Sequence, residues 1–177
     1  MFSKILVALD DSDHAEKALD IASDLAAKYG ADLIALHVLS DHALTEEERH
    51  MAEIEYGGEV VKRLDADVLM QVRGEPRVVA KQLIDQYAAT GRVIRRVIGE
   101  KLMDTAQTHA RARGVASVEP VIEEGDPAKA ILRIAKDRGV DLIVMGSRGR
   151  SAAKDLLMGS VSRKVGHLAA CSCIMVK

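Results

Sequence analysis

Short runs of branched apolar residues recur along this chain, each closed by turn-forming residues and followed by a stretch with helical periodicity. Lys4-Ile-Leu-Val-Ala-Leu9 leads into Asp10-Asp11-Ser12-Asp13, then into Ala15, Ala18, Leu19, Ala22, Leu25 and Ala26 at helical spacing, with Gly30 as the stop. Asp13 with Glu16 fits a capping-box-like start for that helix. Further strands are predicted at 32–38, 116–122, 141–145 and 172–176. Asp126 before Pro127 marks another helix start, running to about Arg138 and Gly139. Strands alternating with helices imply right-handed crossovers and a parallel sheet covered on both faces. The reading is therefore α/β with five strands.

The interval between the second and third strands is longer than a single crossover helix needs. A helix is expected from Thr45, broken at Gly57-Gly58, then helices at 59–72, 76–89 and 93–113, with Gly91 and Gly114 as breaks. The final helix is expected at 160–169.

Composition excludes several classes. A net charge of −2 leaves no basic excess for a phosphodiester backbone, and 2% aromatic residues give no base-stacking platform, so neither DNA nor RNA is an expected partner. No apolar run approaches the ~20 residues of a membrane span. No signal-like opening is visible, so the cytoplasm is the expected location. Cys171 and Cys173 are too few for a disulfide framework and read as two small buried residues on one strand face. The six histidines are scattered and form no metal-ligand pattern. Neither a catalytic set nor a Walker lysine can be assembled, so no catalytic and no metal-binding residue is predicted.

The chemical signal lies in Gly146-Ser-Arg-Gly149, followed after nine intervening residues by Gly159-Ser160, between a predicted strand and a predicted helix. Glycines let backbone take positive φ or approach a ligand closely. A helix start offers unpaired N–H groups and the positive end of the dipole. The spacing G-x2-G-x9-G-S differs from both the dinucleotide fingerprint and the P-loop.

With Ile5–Ser12 at one end and Glu124-Gly-Asp-Pro127 in the middle, that loop makes the chain resemble the universal stress protein family, in its ATP-binding branch. The resemblance covers Ser3 to about Val38 and about Gly91 to Lys177. It implies an open sheet of order 3-2-1-4-5, Rossmann-like and of the adenine nucleotide alpha hydrolase-like type. It also implies one domain over 1–177, with a helical insertion at roughly 41–92. Ligands of such sheets bind where the strand order reverses, beyond the strand C-termini.

The resemblance carries ATP, with or without Mg²⁺, to that crevice. Asp10 matches the family's acidic residue beside the adenosine, with Asp11 and Ser12 offering caps and backbone contacts. Val38 matches the position whose backbone meets the adenine edge, and Met145 one that flanks the nucleotide. Gly146, Arg148, Gly149 and Arg150 would wrap ribose and phosphates, with Lys154 a nearby charge. Gly159, Ser160, Val161 and Ser162 would offer amides and hydroxyls to phosphate. The implied function is a stress-response regulator whose nucleotide occupancy controls conformation or partner binding. A slow ATPase on the same fold and a nucleotide-free scaffold acting through the inserted helices are the alternatives. A flavoprotein-type sheet is a more distant one. A homodimer through the last strand is implied, with an unidentified regulatory protein as a further partner. Ser172 stands where the family usually has Pro, which bears on dimer geometry alone.

Overall fold

The computed structural model describes residues 2–39, 76–149 and 158–177, of which 76–90 as backbone alone. The helices expected at 45–56 and 59–72, together with Arg150 and Lys154, lie outside the described residues. By internal contacts the chain divides into two compact units, Met1–Asp41 with Lys101–Lys177, and His42–Glu100.

The elements run β1 Lys4–Leu9, α1 Asp13–Tyr29, β2 Asp32–Leu39, α2 Pro76–Ala112, β3 Val118–Glu124, α3 Pro127–Asp137, β4 Leu142–Gly146, α4 Ser160–Leu168 and β5 Ser172–Val176. All strand pairs are parallel, in the order β3-β2-β1-β4-β5. The order reverses between β1 and β4, whose register sets Ile5 opposite Leu142 and Ala8 opposite Met145.

Period-two alternation sorts the strand residues onto two cores. Ile5, Val7, Leu9, Leu33, Ala35, Leu142 and Val144 pack with α1 and with Met103, Ala106 and Ala110 of α2. Leu6, Ile34, Leu36, Ile143 and Met145 pack on the other face with Ile131 and Ile134 of α3 and Val165 of α4. The small side chains of Ala15, Ala18, Ala22 and Ala26 form the buried stripe of α1, so that helix sits close on the sheet.

Local signals explain most boundaries. Gly30 caps α1 with φ 63°, a left-handed conformation that costs a residue with Cβ. The Asp126 Oδ1 atom accepts from Lys129 N at 2.9 Å, with Pro127 opening α3. That backbone hydrogen bond is the main cause holding the Asp126 carboxyl below its usual range.

Four expectations need correction. Asp13 and Glu16 form no capping box but lie inside the first turn of α1, near the positive dipole end; of the expected caps it is Ser12 that serves, its Oγ accepting from Ala15 N. Gly91 does not end a helix; α2 runs unbroken from Pro76 to Ala112. A glycine within a helix costs about 1 kcal/mol, which neighbouring good formers offset. In the second unit Ile94 and Val97 are buried, and Arg96 pairs with Glu100 one turn on. Strand β3 starts at Val118 and extends to Glu124 because β2 is long enough to pair with it as far as Leu39. Its Glu123 is ion-paired with Arg133 of α3 at 2.7 Å. Finally, Cys171 and Cys173 are free thiols that are only half-buried, and of the two only Cys173 lies within β5. Burial pushes both thiols up.

At the N-terminal edge of the sheet, one Asp141 oxygen accepts from Ser3 Oγ (2.6 Å), Ser3 N (2.8 Å) and Lys4 N (2.9 Å). These bonds, the Ser3 hydroxyl first, lower its pKa from 3.8 to about 2. They fasten the start of β1 beside the start of β4.

Candidate functional site

At the opposite edge, where β1 and β4 end, chain segments far apart in sequence meet. Asp10 follows β1, and its Oδ1 accepts from the Ser12 hydroxyl at 2.5 Å. Its other oxygen lies against Gly149: a Cβ built there would collide with Asp10 Oδ2. The N-terminal motif and the glycine loop, about 140 residues apart, are thus in direct contact.

Among Gly146, Gly149 and Gly159, none adopts positive φ. Close approach, and not left-handed backbone, is what these glycines supply. At Gly146 a Cβ would stand 2.9 Å from His14 Cβ, so α1 presses on the end of β4. At Gly149 the obstacle is the Asp10 carboxylate. At Gly159 there is none: the nearest atoms, Arg148 Cα, Ser147 O and Ser162 Oγ, are at 3.6, 3.6 and 3.7 Å, ordinary contact distances. Nothing described in the protein requires a glycine at 159.

Gly159 is the N-cap of α4, at φ −73° and ψ 166°, and among the described residues no side chain caps the helix. By contrast α1 and α3 are capped by Ser12 and Asp126. The amides of Ser160, Val161 and Ser162 are the orphan donors of this start, backed by the helix dipole. Ser160 is exposed and Val161 half-buried. Ser162 is buried, and its hydroxyl faces the carbonyls of Ser147 (2.7 Å) and Gly159 (3.1 Å). With its one proton engaged there, Ser162 clamps the loop, and what it offers outward is its backbone amide.

The remaining expected residues divide by exposure. Val38 and its neighbour Ala8 are half-buried apolar groups on the α3–α4 face, near the ends of β2 and β1. Met145 is 6% exposed and belongs to the same core. Arg148 is half-buried and Asp11 exposed.

Two residues escaped the sequence reading. Ser147 is 1% exposed and is the junction of the site. Its N–H donates to Val176 O at 2.6 Å, and its carbonyl accepts from Gly159 N at 2.8 Å. Its hydroxyl stands 3.2 Å from His14 Nδ1, which is also 3.2 Å from Val176 O. A polar residue continuing the buried parity of Ile143 and Met145 was the available signal for Ser147. His14 left none, since only the packing of α1 on β4 and β5 brings it there.

Among the described residues no cluster of His, Cys, Asp or Glu could hold a metal ion. No helix among them is long and apolar enough to cross a membrane. The arrangement offers amide donors at a helix start, an arginine, an acceptor carboxylate and a partly open apolar floor. Such a combination suits an anion joined to a flat, hydrogen-bonding, partly apolar group.

The model of the universal stress protein family matches residues 1–177. The chain is 36% identical to the universal stress protein YxiE of Bacillus subtilis over 177 residues, covering all of both chains. Its fold is similar to that of the universal stress protein UspA from Lactobacillus plantarum, with a TM-score of 0.70 and 21% identity over 99% of this chain and 98% of that one. A universal stress protein from Archaeoglobus fulgidus in complex with dAMP also shares it, with a TM-score of 0.57 and 20% identity over 99% and 98% of the two chains. A match over the full length, joined to a sheet of order β3-β2-β1-β4-β5 with the loop motif at its switch point, makes this chain a member of the universal stress protein family.

Proposed function

We propose that the chain is an ATP-binding regulatory protein of the stress response, acting in the cytoplasm, whose nucleotide occupancy controls conformation or partner binding. The observation that carries this reading is the start of α4. It has three consecutive amides with no side-chain cap among the described residues, at a glycine whose Cβ position is open. A phosphate there would take the donors that Ser12 and Asp126 satisfy elsewhere. Gly146, Arg148, Gly149 and Arg150 would wrap the ribose and phosphates, and Asp10 would accept from the ribose or base. Val38, Ala8 and Met145 would border the adenine. Mg²⁺ would accompany the phosphates. The dAMP bound by the Archaeoglobus relative supports an adenine nucleotide as the ligand class.

The chain would work as a homodimer. β5 is an edge strand of the sheet, with half-buried Cys173, Ile174 and Met175. An apolar edge invites a second strand, and a twin related by a two-fold axis supplies one. Ser172 retains the N–H that a Pro would lack and donates it to Asp141 O at 3.3 Å within the protomer, so the outward pairing would begin beyond it.

The test is calorimetric titration of the purified chain with ATP, AMP and GTP. ATP binding, with AMP weaker and GTP weakest, is expected. Absence of binding by any adenine nucleotide would overturn the reading.

A further inference from the structure

His14 and Ser147 form a contact at the edge of this site that nucleotide binding does not itself require. His14 is the second residue of α1, directly beyond the Asp10–Ser12 turn. Its Nδ1 is equidistant, at 3.2 Å, from the Ser147 hydroxyl and the Val176 carbonyl. A carbonyl only accepts, so the bond to Val176 requires Nδ1 to carry the proton. The same proton is then shared with the Ser147 oxygen. Although a serine beside a histidine suggests a nucleophile and its base, a protonated Nδ1 cannot take the serine proton. Ser147 is moreover buried, beyond the reach of a substrate. The pair is therefore a fastening.

What it fastens is specific. The Val176 carbonyl receives both Ser147 N and His14 Nδ1, filling its two lone pairs. The Ser147 carbonyl receives both Gly159 N and Ser162 Oγ. One continuous chain of hydrogen bonds thus runs from α1 and the end of β5, through the Ser147 peptide, to the cap residue of α4. The Cβ of His14 packs closely on Gly146, which fixes the root of the side chain beside the end of β4. Lys17, one turn further along α1, reaches the Lys177 carbonyl at 3.4 Å and holds the same helix face against the end of β5.

We propose that His14 is a positioning residue: by joining Ser147 to Val176 it sets the bend that aims the α4 amides, and so couples the edge strand β5 to the anion site. As far as it concerns ligand affinity, the proposal rests on the nucleotide reading above. Asn, Gln and Leu at 14 separate the possibilities, because an Asn amide nitrogen matches the place of Nδ1 whereas the Gln nitrogen matches Nε2.

Two readouts on the full chain are needed. The first is amide hydrogen exchange without ligand at Ser147 and Gly159. His14→Leu and His14→Gln should speed exchange at both roughly fivefold, the size of one ordinary hydrogen bond, and His14→Asn should not. The second is ATP affinity, expected to fall by a similar factor in Leu and Gln and to be retained in Asn. Equal exchange in all variants, or equal loss in all three including Asn, would overturn the proposal. If wild type binds no adenine nucleotide, the nucleotide reading fails by itself, and the exchange pattern still decides the role of His14.

Discussion

Replacing Gly159 by Asp should make the protein more stable and unable to hold nucleotide. The backbone at 159 is extended, with φ −73° and ψ 166°, a conformation suited to an N-cap and open to any residue. The Cβ meets nothing closer than 3.6 Å. The new carboxylate would accept from the Val161 or Ser162 amide and complement the dipole, for about 0.5 kcal/mol. Loss of glycine freedom in the unfolded chain contributes about 0.5 kcal/mol more. A gain near 1 kcal/mol raises Tm by roughly 2–4 °C in a chain of this length.

The same carboxylate occupies the proposed phosphate cradle. Like charges about 4 Å apart near a protein surface repel by about 4 kcal/mol, which corresponds to a loss of roughly a thousandfold in affinity. Thermal unfolding and calorimetry on one preparation read both effects. Gly159→Ala, which adds the Cβ without the charge, should bind ATP nearly as wild type does. A stable Gly159→Asp chain that binds ATP within a few-fold of wild type would refute the assignment of these amides to phosphate.

Other substitutions probe the supporting structure. Gly149→Ala drives a methyl into the Asp10 carboxylate, so it should destabilise by about 1–3 kcal/mol; adding Asp10→Ala should recover part of that, a non-additivity that urea unfolding detects. Ser23 is fully buried with no hydrogen-bond partner for its hydroxyl among the described residues, so Ser23→Ala should stabilise by about 1 kcal/mol and raise the urea midpoint. Asp141 is held near pKa 2 in the fold against an ordinary 3.8, so its contribution is complete above about pH 4 and is lost as pH falls toward 2. Asp141→Asn keeps an oxygen for Ser3 and Lys4 but cannot titrate, so the acid limb of its stability–pH curve between those values should flatten.

Local chemistry made much of the architecture readable in advance. Ile5, Val7, Leu142 and Val144 lie in runs too apolar for anything but a sheet covered on both faces. Gly30 and Asp126-Pro127 end and start helices by backbone physics that needs no distant partner. Signals of weak local energy misled. One glycine at 91 was too small a penalty to divide a helix, and Asp13 lost the cap to Ser12 because both are good caps one residue apart. The ends of β3 were set by the length of β2, a property of its neighbour and not of its own residues.

The site divides the same way. That Gly146, Gly149 and Gly159 flank a strand end and a helix start was written in their spacing, because glycine placement reflects local backbone need. Why glycine stands at 146 and 149 was decided by tertiary approach, the His14 side chain at 146 and the Asp10 carboxylate at 149, whereas at 159 the nearest described atoms are at ordinary contact distance. The hub role of Ser147 and the bridge made by His14 belong wholly to the fold. Hydrogen bonds among α1, β4, β5 and α4 exist only once parallel strand order has carried residues 14, 147, 159 and 176 to one edge of the sheet.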